Sequence, residues 1–303
     1  MNMKVVVSAV AFSKNKELVD KLLSHFPDAI INAEGKRYSK DELIEYYKEA
    51  DAIITGLEKI DDDLLSKLPK LKLIAKYGVG LNNIDLDACK KRNIKIGWTG
   101  GVNKHSVAEM ALGLMLMLTR NLYTTSNQLK SGTWNKSGGF SLKNRTIGIV
   151  GLGHIGKELV RLLKPFDCKI LLNDIIDIDD YAQEHNHEVV EKDVLFQQAD
   201  LISFHTPLNG STKNLVNKSS ILTMKSSVLI INTARGGIIN EEDLKWALQN
   251  NKIGGAALDV FEIEPPEDKE LMQFPNLIAT PHIAGNSYEA VIDMGLAAIN
   301  HII

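Results

Sequence analysis

The sequence predicts an α/β fold built on parallel sheets, in two domains. Three observations lead there. Short β-branched apolar runs alternate with helical patterns along the chain. That alternation pauses near Gly100-Gly101 and restarts at Thr146. At the restart, a strand-like run passes through closely spaced glycines straight into a helix. The length of 303 residues suffices for two domains with full cores.

Taken in order, residues 4–10 read as a buried strand and 14–23 as a helix. The apolar start lacks the cleavage pattern of a leader peptide, so the strand reading is preferred. Residues 40–48 read as a helix and 52–55 as a strand ending at Gly56. Asp61-Asp62-Asp63 begin a helix running to Leu68, acids being suited to a first turn. Pro69 stops it. Residues 71–75 form a strand that enters the loop K-Y-G-V-G-L-N-N at 76–83. A helix at 86–92 and a strand at 94–96 complete the first alternation. A parallel sheet binds ligands at the carboxyl ends of its strands, where the 76–83 loop sits.

Gly100-Gly101 reads as a hinge or boundary. One long helix is expected from 105 to about 130. Its middle, 110–118, is apolar all round and is expected to be buried all round, by a second subunit or within the chain. Thereafter strands are predicted at 146–150, 169–173, 201–204, 228–232, 255–258 and 277–280. Helices are predicted at 155–163, 192–199, 219–222 and 241–250. Six strands with intervening helices make a doubly wound fold. A last helix, 288–303, is expected to return to the N-terminal domain.

The run T-I-G-I-V-G-L-G-H-I-G at 146–156 puts Gly151, Gly153 and Gly156 at G-x-G-x-x-G spacing. Gly151 permits the tight turn, Gly153 lets a pyrophosphate approach, and Gly156 lets helix and strand lie close. The helix N-terminus then faces the phosphates. Asp174 follows the next strand, near the distance expected for an acid on the adenosine ribose. No Arg or Lys follows it, whereas Asp177, Asp179 and Asp180 do. The reading is therefore NAD rather than NADP. The competing reading is a glycine turn in a non-binding domain.

Composition excludes several classes. A net charge of −3 gives no case for nucleic acid or anionic membrane partners. The longest uncharged apolar run is too short to span a bilayer. The two cysteines, Cys89 and Cys168, have no motif spacing, which fits a reducing cytoplasm without disulfides or zinc. No metal-ligand cluster is visible, and none is needed.

Three motifs follow predicted strands in the second half: N-T-A-R-G-G at 232–237, D-V-F-E-I-E-P-P at 259–266 and T-P-H-I-A-G at 280–285. Singly, Arg235 reads equally as a surface ion-pair partner, Glu262 or Glu264 as a solvated acid, and His282 as a core or capping residue. Together at strand ends they supply a base, an orienting acid and a carboxylate clamp, the set that hydride chemistry on a hydroxy acid needs.

These motifs, with K-Y-G-V-G-L-N-N-I-D at 76–85, N-K-H-S-V-A-E at 103–109 and H-T-P-L at 205–208, resemble the D-2-hydroxyacid dehydrogenase family, in particular its phosphoglycerate dehydrogenase-like branch. The resemblance covers nearly the whole chain. It implies a Rossmann NAD-binding domain, 100–284, inserted in a flavodoxin-like substrate domain, 1–99 and 285–303. It also implies a cleft between them and a homodimer built on the NAD domain through the 105–130 helix. By the same resemblance Arg235 binds substrate, Glu264 pairs with the histidine and His282 is the acid/base. Gly153, His154 and Ile155 match the pyrophosphate turn and Asp174 the ribose acid. His205, Thr206 and Pro207 match the loop over the adenosine side. Thr233, Ala234 and Asp259 match positions near the nicotinamide, Asp259 holding its carboxamide. Val79 and Gly80 match backbone donors to the substrate carboxylate. Glu262 is a bystander. A glutamine in place of Glu264 would point to formate, and glutamate argues against it.

The substrate expected first is 3-phosphoglycerate or its keto acid. Lys76 stands where that branch often has arginine, keeping the charge but not the planar fork. Tyr77 stands where the branch often has alanine and is expected to add bulk beside the substrate. Glyoxylate, hydroxypyruvate and other small or phosphorylated 2-hydroxy acids are the alternative. An NAD-sensing binding protein without turnover is the alternative of another class. The chain is expected to lack a regulatory domain and serine inhibition.

Overall fold

In the computed structural model, residues 3–303 are described. They divide into two compact units, residues 3–103 with 286–303 and residues 104–285. Each unit is built on its own parallel sheet.

The first unit has five strands: β1 (Val5–Val7), β2 (Ile30–Ile31), β3 (Ala52–Thr55), β4 (Leu73–Lys76) and β5 (Lys95–Gly97), in spatial order β2-β1-β3-β4-β5. This is the flavodoxin-like order, with its switch point between β1 and β3. β1 and β3 are buried throughout, as strands covered on both faces must be. One face packs on Leu43, Tyr47, Leu64 and Leu65. The other packs on Phe12, Leu18, Leu22 and the helix Tyr288–Asn300, through Met294, Ala298 and Ile299. The last helix therefore completes the first unit. Gly100-Gly101 lies inside this unit, just before its limit at Asn103.

The second unit has seven strands: β6 (Thr146–Val150), β7 (Lys169–Asn173), β8 (Glu188–Val189), β9 (Leu201–Phe204), β10 (Leu229–Asn232), β11 (Gly255–Leu258) and β12 (Leu277–Ala279). Their order is β12-β11-β10-β9-β6-β7-β8, the dinucleotide-binding order with one strand added. The switch point lies between β6 and β9. Two apolar clusters cover the faces. One is centred on Phe196, Phe204, Ile230 and Leu244, the other on Ile147, Leu159, Ile231 and Ala111.

The elements depart from expectation in a few places. Sequence patterning gave six strands here; the seventh, β8, is two exposed residues on the sheet edge, too short to carry a pattern. The helix Asp179–His185 and the two-residue β2 are likewise additional. The long helix expected over 105–130 is two helices, Lys104–Thr119 and Leu122–Lys130. Asn121 breaks it in the left-handed region at φ 52°, a conformation asparagine tolerates. The returning segment takes up the freed groups: Phe140 N–H donates to Thr119 O at 2.8 Å and Arg120 Nε to Gly138 O at 2.9 Å. The first of these helices is not buried on all sides. Ala111, Leu114 and Met115 face the core, while Met110, Leu112, Leu116 and Met117 are only partly buried.

Candidate active site

The glycine turn sits at the end of β6, beside the switch point. Gly151 has φ +96°, and a Cβ there would stand 2.7 Å from His205 O and 2.9 Å from Thr206 Cγ2. The turn is thus packed on the loop after β9. At Gly156 a Cβ would stand 2.2 Å from Gly151 O, so only glycine lets the helix His154–Leu163 begin this close to the strand. Gly153 differs: a Cβ there would meet nothing within 4 Å. Its side is open to a ligand at the N-terminus of a ten-residue helix that begins at His154 and Ile155. Asp174 closes the turn, accepting Leu152 N–H at 2.6 Å, with Ile175 N–H on its other oxygen at 2.7 Å. The neighbouring loops carry three buried polar atoms without a hydrogen-bond partner: His205 Nδ1, Thr206 Oγ1 and Thr233 Oγ1. Such atoms are costly unless a ligand satisfies them. Pro207 O accepts the Thr212 hydroxyl and so belongs to the loop's own bracing.

The three motif residues of the second half meet at the carboxyl ends of β10, β11 and β12. His282 Nδ1 lies 2.8 Å from Glu264 Oε2 and 3.1 Å from Oε1. Their side chains are 49% and 39% exposed, so the pair is reachable. Arg235 is close enough to Glu264 to feel its charge. Burial pulls the guanidinium below its ordinary value, and Glu264 pulls it back. One of its five donors is spent on Ala234 O. Asn232 holds this turn, its amide donating to Arg235 O at 2.8 Å and its oxygen accepting Ala234 N–H at 3.0 Å.

His282 itself has φ 53°. A non-glycine residue in that region costs about 1–3 kcal/mol and needs surroundings that impose it. Asp259 imposes it. This carboxylate is 0% exposed. It accepts the Thr280 hydroxyl at 2.6 Å, Ile283 N–H at 2.9 Å and Ala284 N–H at 2.8 Å. The expected contact of Asp259 with a nicotinamide carboxamide is not what this arrangement offers: the group is buried and engaged by three donors of its own unit. Glu262, expected as a bystander, has an exposed side chain, but its N–H is bound by Glu241.

In the first unit, the 76–83 loop follows β4. Lys76 is 5% exposed, and its ammonium donates to Gly56 O and, at 2.8 Å, to Asn83 Oδ1. Asn83 in turn donates to Gly56 O at 3.0 Å and Glu58 O at 2.6 Å. The lysine ties two loops together and is poorly placed to serve as a phosphate handle. Tyr77 does not add bulk to a ligand site. Its ring sits in the core, edge-on to Phe12 at 5.7 Å, and its hydroxyl is buried without a partner. Val79 and Gly80 remain half-exposed, and Val79 O accepts the Trp98 indole at 2.8 Å.

Similar proteins give the family. Residues 112–284 match the model of the D-isomer specific 2-hydroxyacid dehydrogenase, NAD binding domain. The chain belongs to the D-isomer specific 2-hydroxyacid dehydrogenase family. It is 38% identical to the hydroxypyruvate reductase of Thermotoga maritima over 88% of this chain and 89% of that protein. It is also 38% identical to the D-3-phosphoglycerate dehydrogenase of Methanocaldococcus jannaschii, over 83% of this chain but 49% of that longer protein. Among solved structures it resembles the D-lactate dehydrogenase of Aquifex aeolicus complexed with NAD and lactic acid. That match has a TM-score of 0.84 and 27% identity, covering 98% of this chain and 93% of the other.

The protein is thus an NAD-dependent oxidoreductase of this family, and its second unit carries the NAD-binding domain. The residues present fit that cofactor: an open Gly153, a helix N-terminus, an acid after β7 and unsatisfied polar atoms on the flanking loops. Sequence reasoning quoted Asn232 without giving it a task, and it missed Glu241 altogether. Asparagine next to a strand end is the one available signal for the first; nothing local marks the second.

Two outcomes follow for the enzyme. Replacing Asp259 by alanine strands three donors, one buried and two part-buried, and is expected to lower unfolding stability by about 2–4 kcal/mol. Asp259→Asn should fall between that variant and the parent in urea unfolding; equal stability of the alanine variant would refute the bracing role. Burial pushes His205 down to about 4, against about 6.5 in an unfolded chain. Between those values the unfolded chain takes up a proton that the folded ring refuses. Stability is therefore full above pH 6.5 and is lost as pH falls toward 4. Unfolding curves at pH 7, 6, 5 and 4.5 should show a shallower acid-side slope, by about one proton, in His205→Gln.

Proposed function

We propose that the enzyme reduces a small, unphosphorylated 2-keto acid to the D-2-hydroxy acid with NADH, hydroxypyruvate and glyoxylate leading. The observation that carries the reaction is the His282–Glu264 pair beside Arg235 at the carboxyl ends of β10, β11 and β12. NADH, when bound, supplies the hydride. His282, oriented through Nδ1 by Glu264, donates a proton from Nε2 to the substrate oxygen as negative charge grows there. Arg235 clamps the substrate carboxylate and steadies that charge. In oxidation His282 accepts the hydroxyl proton instead. Gly151, Gly153, His154, Ile155 and Gly156 hold the pyrophosphate, Asp174 the ribose, and His205, Thr206, Pro207, Thr233 and Ala234 line the remainder of the cofactor. For the first unit, Val79 and Gly80 are proposed as carboxylate donors.

The preference for an unphosphorylated acid rests on Lys76. With its ammonium committed to Gly56 and Asn83, Lys76 is poorly disposed to serve as the handle that the phosphate of 3-phosphoglycerate would need. The name of the Thermotoga relative points the same way. A cytoplasmic location is proposed on two free thiols, Cys89 and Cys168; no helix among the described residues is long and apolar enough to cross a membrane.

The test is NADH oxidation with hydroxypyruvate, glyoxylate, pyruvate, 2-ketoglutarate and 3-phosphohydroxypyruvate, repeated with NADPH. Turnover is expected with NADH on hydroxypyruvate or glyoxylate. A strong preference for the phosphorylated acid would overturn the substrate reading. His282→Ala should lose roughly 10²–10⁴-fold in kcat while still binding NADH; unchanged turnover would sink the role of His282.

We also propose a homodimer through the 104–130 region. Its support is the partly buried apolar flank of the Lys104–Thr119 helix, with Leu122 at 51%, Leu129 at 56% and Trp134 at 78% exposed nearby. Light scattering should give twice the chain mass, falling to the chain mass in Leu129→Asp/Trp134→Ser. A monomeric parent protein would refute it.

A further inference from the structure

Glu264 lies in a segment, residues 259–270, that belongs to no helix or strand. Such a segment has no ladder to fix its side chains, yet Glu264 meets His282 at hydrogen-bond distance. Its neighbours are held instead. Phe261 is buried in the core at 5% exposure, and its N–H donates to Glu264 Oε1 at 3.1 Å. The Phe261–Glu262 peptide packs directly on Gly236, next to Arg235. A Cβ at Gly236 would stand 1.9 Å from Phe261 O and 2.6 Å from Glu262 N. Glu262 N–H then donates at 2.6 Å to Oε1 of Glu241, the first residue of the helix Glu241–Gln249. One turn further along that helix, Lys245 binds Asp268 at 2.7 Å, gripping the far end of the same segment.

We propose that Glu241 is a positioning residue for the Glu264–His282 pair. Its carboxylate pins the Glu262 peptide against Gly236, so that the acid-bearing loop and the Arg235 turn keep one fixed spacing. This rests on the reading of Glu264 and His282 given above. The acid stands there against its surroundings. Burial pushes the Glu241 carboxyl up, the bond from Glu262 N–H opposes that, and Glu262, Asp268 and Glu242 add to the push. What the site uses is an acceptor atom at one place, and the negative charge is incidental. A glutamine supplies the same acceptor.

The experiment compares Glu241→Ala, Glu241→Gln and Glu241→Asp with the parent and with His282→Ala. Each is assayed with NADH and every keto acid of the panel above, beside NADH binding by fluorescence. Glu241→Ala is expected to lower kcat about tenfold while NADH affinity stays within about twofold. Glu241→Gln should restore kcat. Glu241→Asp, which draws the acceptor back by one methylene, should fall between, and it keeps the test open if the alanine variant does not fold. Parental kcat in both Glu241→Ala and Glu241→Asp, or equal damage in Glu241→Gln and Glu241→Ala, overturns the proposal provided His282→Ala is impaired. If His282→Ala is unimpaired, it is the reading of the pair that fails.

Discussion

The buried carboxylate of Asp259 is the interaction on which the reactive end of the second unit depends. It leaves β11 and gathers three donors from the residues that follow β12. Those bonds force the turn in which His282 adopts its left-handed backbone. A side chain on a loop has many directions open to it. One held by a tightened turn and aimed at a carboxylate has few, and that restriction is entropy already surrendered before any ligand arrives. The same economy appears at Asn232, which fixes the Arg235 turn from within.

Much of this was legible in the sequence. The strands β6, β7, β9 and β11 match their predicted limits because strands buried on both faces in a parallel sheet must be continuously apolar. The glycine turn was legible for a related reason: each glycine answers a distinct steric demand, and the structure shows three different surroundings at Gly151, Gly153 and Gly156. What patterning could not reach was structure made by single long-range bonds. The break at Asn121 is stabilised by residues 138–140, which no local window around 121 contains. β8 is two exposed residues that exist as a strand only through pairing with β7.

Two side chains were misread for the same reason. Lys76 and Tyr77 sit in a motif, and position in a motif says nothing of which way a side chain turns. Lys76 turned inward to bridge two loops, and Tyr77 turned into the apolar layer beside Phe12. Consecutive residues at the end of a strand point to opposite faces, so at most one could have faced outward from a given layer. Asp259 was likewise quoted for its motif, whereas its three donors, Thr280, Ile283 and Ala284, come from the residues that follow β12, some twenty residues downstream.

The helix Tyr288–Asn300 has a consequence in time. It packs on the helix Lys16–His25 and on β4, filling the apolar face of the first unit. A chain made from its amino end therefore begins the first unit, then makes the whole of the second, and only afterwards produces the helix that closes the first. During synthesis the seven-stranded sheet has all its own strands available while the first unit still lacks the helix that packs on Leu18. The order of completion is the reverse of the order of initiation, and the exposed face of the waiting unit is the part of the nascent chain most in need of protection from aggregation.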